Sequence, residues 1–517
     1  MREGDALVPT PAVHGVARLD DEAELRRSLA APSDLSPAGL LHAAVTTHGA
    51  RALCAQSGEF AAWWVAADGL TEIVCDPFGA EQLYWTRLNG RVLVGPSVEA
   101  LRRSRAAAGL ATTLDDDALL RFLVRGADDQ LTRTPWREIA RARPGAWTRV
   151  SASTVTEHPT WELPMVPPAA RRATPDDLAR FEHALDRAVA ERCGDGDALW
   201  LSGGLDSQAI ALATVHAGVR VRGLCWDFQP LVPRDDEARL AALGAAAIGV
   251  PFARLALGER VVPLAHLGAP CDLDLPIDEP DLSLQRYAHA ALGARVVLNG
   301  EDGDALCHPP AWRASVAAVG WGATLRGWGA AWWATGERPY LGVWLRGGTK
   351  TMPAPAFMRA EARERAVVAP ASVQPHPFRP EAADRLRAER WIELQRRSAP
   401  AVTGVNVATR FPLLDRRVIE AVFAMPPWPW THRKELLRAS LRTRLPAVIH
   451  ARAKTPLRGY ARAQVERWRS APTPSMWHPW LDGWVDRAAV DAQLRTDAPF
   501  EAWRVLQLAH WLQRVAP

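Results

Sequence analysis

The sequence predicts a β-rich first domain followed by a parallel α/β domain that ends in a helical extension. Three observations predict it. Before residue 160, short apolar runs are separated by turn residues, the spacing of strands and hairpins. Between Ala198 and Leu298, four apolar runs alternate with helix-like stretches, the order of a parallel sheet with crossover helices. After Pro309 the apolar spacing is helical, with no convincing strand. At 517 residues the chain has material for two or three domains, and 48% hydrophobic with 23% charged residues are the values of a globular protein.

In chain order, Ala61 to Ala66, Thr71 to Cys75 and Arg91 to Val94 read as hairpin-like strands. Prolines 159, 164, 167 and 168 mark an extended linker, giving a division into 1–160, a linker 161–174 and a second domain 175–517. Thr174-Pro175-Asp176-Asp177 supplies a helix N-cap, a proline at the first helical position and an acidic first turn, so a helix runs to about Arg192. Strands follow at Ala198 to Leu201, Val219 to Trp226, Phe252 to Leu257 and Ala294 to Leu298. Helices lie between them, from Gln208 onward, over Asp235 to Ile248 and over about Asp281 to Leu292.

The net charge of +4 is small for this length, so nothing demands a nucleic acid or a membrane surface as partner. Met1-Arg2-Glu3-Gly4-Asp5 is no signal-peptide start, and no window approaches a membrane span; the expectation is a cytoplasmic protein. Cysteines 54, 75, 193, 225, 271 and 307 are scattered without a C-x-x-C pair, which favours buried thiols over a zinc site or a disulfide framework. Twenty-three tryptophans are the compositional oddity. Large aromatics ordinarily fill helical cores; the alternative is a peptide-binding groove in which Trp332 and Trp333 take part.

Two strings carry chemistry. In Ala198-Leu-Trp-Leu-Ser202-Gly203-Gly204-Leu205-Asp206-Ser207-Gln208, a buried strand runs into a turn without bulky side chains and then a helix. Glycine N–H groups approach phosphate oxygens closely there, the helix N-terminus adds positive potential, and Ser202 and Ser207 offer hydroxyls. That is a pyrophosphate cradle, with Asp206 placed to hold Mg²⁺. The second string, Val296-Val-Leu-Asn-Gly300-Glu301-Asp302-Gly303-Asp304, follows the last strand, where an open α/β sheet puts its ligands. Glu301 and Asp304 can divide labour, one completing a Mg²⁺ site and the other facing the reacting centre.

The S-G-G-x-D-S string resembles the PP-loop of ATP pyrophosphatases, and the whole chain resembles the asparagine synthetase superfamily. Gly300 to Asp304 is similar to its S-G-E-G-x-D-E-L loop, Arg410-Phe-Pro-Leu-Leu-Asp415 to its R-x-P-F-L-D segment, and Lys434 to Arg438 to its K-x-x-L-R helix. Arg452-Ala453-Lys454-Thr455 is similar to its R-x-K segment. Ser57-Gly58-Glu59-Phe60 and Cys75-Asp76-Pro77-Phe78-Gly79 resemble strings of its Ntn-hydrolase-like glutaminase domain. That glutaminase uses a cysteine directly after the initiator methionine, and Arg2 stands there, so a degenerate domain without glutamine hydrolysis is expected.

The resemblance implies ATP and Mg²⁺ as cofactors, held by Ser202, Gly203, Gly204, Leu205, Asp206, Ser207, Leu224 and Gly300, with Asp206 and Asp304 on the metal. Glu301 and Lys454 are the implied catalytic residues, the lysine at the phosphates. Superfamily members without the glutaminase nucleophile let an amine of the same substrate displace AMP. The β-lactam type carries a tyrosine where Glu301 stands and a glutamate before R-x-P-x-L-D, where this chain has Val407-Ala408-Thr409-Arg410. The expectation is therefore a lasso-peptide cyclase acting on a core peptide, with a leader peptidase and a leader-recognition protein as partners. The alternatives are an ammonia-dependent asparagine synthetase, a small-molecule lactam synthetase and an inactive peptide-binding scaffold.

Overall fold

The computed structural model describes residues 12–126, 131–165, 171–229, 232, 235–256, 276, 282–301, 303–310, 312–338, 353–366, 376–386, 388–452, 477–496 and 500–515. It divides into two compact units, one of 1–118 with 130–162 and one of 119–129 with 163–517.

The first unit carries β1 (His14–Leu19), β2 (Gly58–Val65), β3 (Thr71–Cys75), β4 (Tyr84–Leu88), β5 (Arg91–Gly95), β6 (Ile139–Arg141), β7 (Ala146–Val150) and β8 (Val155–Pro159). They form a five-stranded antiparallel sheet in the order β1-β2-β3-β7-β8 and a three-stranded one in the order β5-β4-β6. Alternation along β2 explains the layers: Phe60, Ala62 and Trp64 pack with the helix Pro37–His48, while Ala61 and Trp63 pack with Ile73, Leu83 and Trp85. The polar end of buried Trp64 is satisfied by Glu72, at 2.9 Å from its indole N–H. Asp76 closes the loop after β3 by accepting from the N–H groups of Phe78, Ala80 and Glu81. Burial nonetheless pushes its carboxyl up to about 6.

The second unit carries β9 (Ala198–Trp200), β10 (Arg222–Asp227), β11 (Phe252–Ala256), β12 (Val296–Leu298) and β13 (Ala408–Arg410). All pair in parallel, in the order β11-β10-β9-β12-β13. The first connections from β9 run one way across the sheet and β12 and β13 lie on the other side. The order therefore reverses at β9 and β12, and the loops leaving those two strands face each other where a doubly wound sheet opens a crevice.

Two expectations change here. The helix after the Gly-Gly turn spans Leu205–His216 with Gly204 as its N-cap, not Gln208 onward, so Asp206 sits in its first turn. β13 is a strand the apolar pattern does not announce: Ala408, Thr409 and Arg410 are each only half-buried, and their place is set by pairing with Val296 to Leu298. The helix Pro175–Ala190 is as expected, and the Asp177 carboxylate accepts from the Thr174 N–H at 2.9 Å.

A buried ion pair ties that helix region to the segment after β13. Arg192 lies 2.7 Å from Asp415, and Arg417 also bonds the same carboxylate. Burial alone would raise the Asp415 pKa, but the Arg417 hydrogen bonds and the two guanidinium charges hold it well below the carboxylate range. A depressed folded-state pKa gives stability that is present above the unfolded value of about 4 and is lost as pH falls below it. Asp415→Asn is expected to cost roughly 3 kcal/mol at pH 7, because it removes the carboxylate charge that faces buried Arg192 and Arg417. Denaturant melts from pH 7 down to pH 3 check this: the gap between wild type and variant should narrow below about pH 4.

Candidate active site

Both chemistry-bearing loops leave the sheet at its reversal point, and glycine lets them touch. A Cβ on Gly300 would lie 2.9 Å from the Ser207 backbone N, and one on Gly303 would lie 1.9 Å from Asp206 Oδ1. Side chains at either position would separate the loops, so these two glycines are there for close approach. The result is that Asp206, in the first turn of Leu205–His216, and Asp304, in the short helix Gly303–Leu306, face one point.

That point is held by a lysine. Lys434 Nζ lies 2.5 Å from Asp206 and 2.7 Å from Asp304. Burial alone would lower the ammonium pKa, but the two carboxylates hold it above its ordinary value, so Lys434 is charged. It sits at the N-cap of Glu435–Leu441, and both it and Arg433 adopt left-handed backbone, φ 58° and 49°. Non-glycine residues reach that region only where surrounding contacts impose it. Arg438 donates to the Arg433 carbonyl at 2.8 Å and ties it to the Arg452 carbonyl, at 2.8 Å, and to that of His450, while the two carboxylates hold Lys434.

Around this triad lies a cavity of about 430 Å³, lined by Gly203, Gly204, Leu205, Asp206, Glu237, Asp304, Arg433, Lys434, Arg438, Ile449 and Arg452. Arg452 is braced by Glu237 at 2.8 Å and Asp236 at 3.2 Å. A helix N-terminus, the Gly203 N–H and four cations among three carboxylates suit a polyphosphate with a divalent cation. The donor set fits Mg²⁺, because two hard carboxylates already converge on one positive charge.

The residues singled out in the sequence fare differently. Gly203, Gly204, Leu205, Asp206 and Asp304 line the cavity; Gly300 is the spacer behind it. Ser202 and Ser207 are turned to the loop itself: Ser207 Oγ accepts from the Ser202 N–H, Ser202 Oγ from the Gly204 N–H, and the hydroxyls meet at 3.0 Å. A buried turn must satisfy its own backbone groups, and these serines do so. Leu224 is 2% exposed and packs with Ala198, Leu255 and Val297, so its side chain belongs to the core beneath the turn. Glu301 is absent from the cavity lining; its carboxylate pairs with Arg397 at 3.2 Å. Lys454 lies outside the described residues. Lys434 and Arg452 are what the residue patterns left without a role, although both fall in the K-x-x-L-R and R-x-K strings.

Residues 180–513 match the asparagine synthase family model and residues 21–161 the glutamine amidotransferase domain model. No curated protein matches the chain. No helix among the described residues is long and apolar enough to cross a membrane.

Lys434→Met is expected to weaken Mg²⁺-ATP binding by roughly 10- to 100-fold in calorimetry, since a charge-assisted contact to phosphate is lost. The same variant leaves Asp206 and Asp304 facing each other, so its melting temperature should fall in EDTA and recover with Mg²⁺. Gly303→Ala should weaken Mg²⁺-ATP about 10-fold with an unchanged circular dichroism spectrum, because the added methyl displaces the Asp206 carboxylate.

Proposed function

From the premise that this chain belongs to the asparagine synthase family, whose chemistry is ATP-dependent amide-bond formation, we propose that it is a lasso-peptide cyclase. It activates an Asp or Glu side chain of a core peptide and closes a ring with the amine of the same peptide. The observation that carries this reading lies in the first unit. The amidotransferase match spans 21–161, and its two cysteines fall well within it: exposed Cys54 in the short 3₁₀ helix Ala50–Ala55, and Cys75 buried in β3 with its thiol pushed up by burial. An Ntn glutaminase needs a cysteine whose own free α-amine is the base, and neither can be one. We infer that this unit makes no ammonia from glutamine, which favours an amine carried by the substrate.

Asp206 and Asp304 hold the Mg²⁺, which when bound neutralises phosphate charge. The Gly203 and Gly204 turn and the Leu205–His216 N-terminus cradle the phosphates. Lys434, Arg433 and Arg452 stabilise charge that builds on the leaving pyrophosphate as the substrate carboxylate attacks the α-phosphate. The peptide amine then displaces AMP and loses a proton. Its ordinary pKa of about 7.7 to 8.0 leaves a usable neutral fraction at pH 7. Glu301 orients that amine or takes its proton, for which it must leave Arg397. The pair is roughly half-exposed on the Glu301 side, so releasing it costs about 1 kcal/mol or less. Lys454 joins the phosphate cations, as the R-x-K string implies.

The β-lactam alternative lacks its dyad, because Glu301 replaces the loop tyrosine and Val407 to Arg410 offers no carboxylate. A cytoplasmic setting, a leader peptidase and a leader-recognition protein belong to the same proposal. The test is pyrophosphate release beside product mass, with Mg²⁺-ATP and either a leaderless candidate peptide plus peptidase or aspartate plus ammonium. Loss of one water from the peptide is the expected outcome. Asparagine from aspartate would instead make the chain an ammonia-dependent synthetase.

A further inference from the structure

The helix Trp312–Thr335 is built inside out. Beyond its break at Gly320, φ 78°, the inward positions are small: Thr324 and Ala331 are buried, and a Cβ on Gly327 would lie 2.7 Å from Trp428 Cβ. Trp428 also donates its indole N–H to Ser315, which meets Thr324 at 3.2 Å. The outward positions carry the large apolar groups. Trp321 is 56%, Leu325 54%, Trp332 41% and Trp333 92% exposed. A surface helix ordinarily buries its apolar stripe, and large apolar side chains gathered on the wet face mark an interaction site.

We propose that this face docks an acidic, aromatic- or aliphatic-rich peptide in extended form, the tail of the substrate that reacts in the neighbouring cavity. The inference rests on the amide-ligase reading and adds where the substrate is held. Positions 321, 325 and 332, with half-buried Trp328 between them, recur with helical spacing and span about 16 Å, the reach of roughly five extended residues, and Trp333 stands one helical step beside them. Trp328 and Trp332 lie 5.9 Å apart, and the Arg338 guanidinium stands 4.7 Å over Trp332. Between residues 312 and 338 the charges are Arg313, Arg326 and Arg338 against one acid, Glu337. That acid is neutralised by Arg433, which lines the cavity. The face is thus basic, and its end is tied to the reacting centre, which selects a substrate over an unrelated partner.

The probe is a fluorescein-labelled linear 16-mer with an N-terminal glycine, an aspartate at position eight, and a tail alternating Phe or Leu with Asp, read by anisotropy without ATP. Trp321→Ser, Trp332→Ser and Trp333→Ser combined should weaken binding at least 10-fold while the melting temperature holds within about 2 °C. A matched tail with Lys for Asp should bind wild type at least 10-fold more weakly. Equal binding by wild type and the triple variant overturns the proposal, as does a collapse in melting temperature. A dimer that the triple variant converts to monomer with peptide binding unchanged overturns it in favour of a second copy. Tryptophan-dependent binding to anionic vesicles but not to the peptide overturns it in favour of a membrane. A peptide that binds through these tryptophans but is never adenylated would sink the cyclase reading and leave this one standing.

Discussion

The ammonium of Lys434 between Asp206 and Asp304 is the interaction on which the candidate site depends. Two carboxylates brought together at a partly buried point repel by several kcal/mol at an effective dielectric of about 20, so they require a cation between them. Each of the three residues reaches that point by a different constraint. Asp206 is carried by a helix that starts at Leu205, Asp304 by a turn that only glycine allows to approach, and Lys434 by left-handed backbone. Residues 228 positions apart in the chain thereby form a 2.5 Å contact.

The parallel sheet makes this convergence possible. β9 and β12 are neighbours with Leu298 opposite Leu199, so the residues that follow each strand emerge side by side. Short strands suffice because the core beneath is continuous: Ala198, Leu224, Val297 and Val407 come from four separate segments and pack together. Leu224 matters to the phosphate turn as part of that floor, by fixing where β9 ends. Its carbonyl accepts the Leu201 N–H at 2.8 Å, the last sheet bond before the Gly-Gly turn.

What the sequence made legible is whatever depends on local chemistry. The Thr174 cap, the β9 strand and the Gly-Gly turn follow from residue type and spacing, and the structure has them within a residue or two. The early helix start at Leu205 was masked because Leu-Asp-Ser reads equally as the end of a turn. β13 was illegible because Ala408-Thr409-Arg410 has no strand pattern of its own and takes its conformation from its partner. Side-chain direction was also beyond reach: Glu301 and Asp304 share a loop, yet one faces Arg397 and the other Lys434. The tryptophans show the same limit, since their number is plain in the composition while their exposure depends on which face of the helix meets Trp428.

For the proposed cyclase reaction, ring closure on a long flexible chain is chiefly an entropic problem. Fixing each backbone residue costs roughly 1 to 2 kcal/mol, far more over a whole peptide than activation of one carboxylate can return at the phosphate cavity alone. An enzyme for such a substrate must therefore spread binding along the chain as well as around the reacting atoms. A cavity of about 430 Å³ is large enough for a nucleotide but not for a folded peptide beside it. The additional contact area must lie outside, and it must be rigid, because a surface that itself becomes ordered adds to the cost. A helix pinned at Gly327 and Thr324, with tryptophans of two rotatable bonds each on its outer face, meets both requirements. Small residues packed inward fix the backbone; large ones left outward are free to bind.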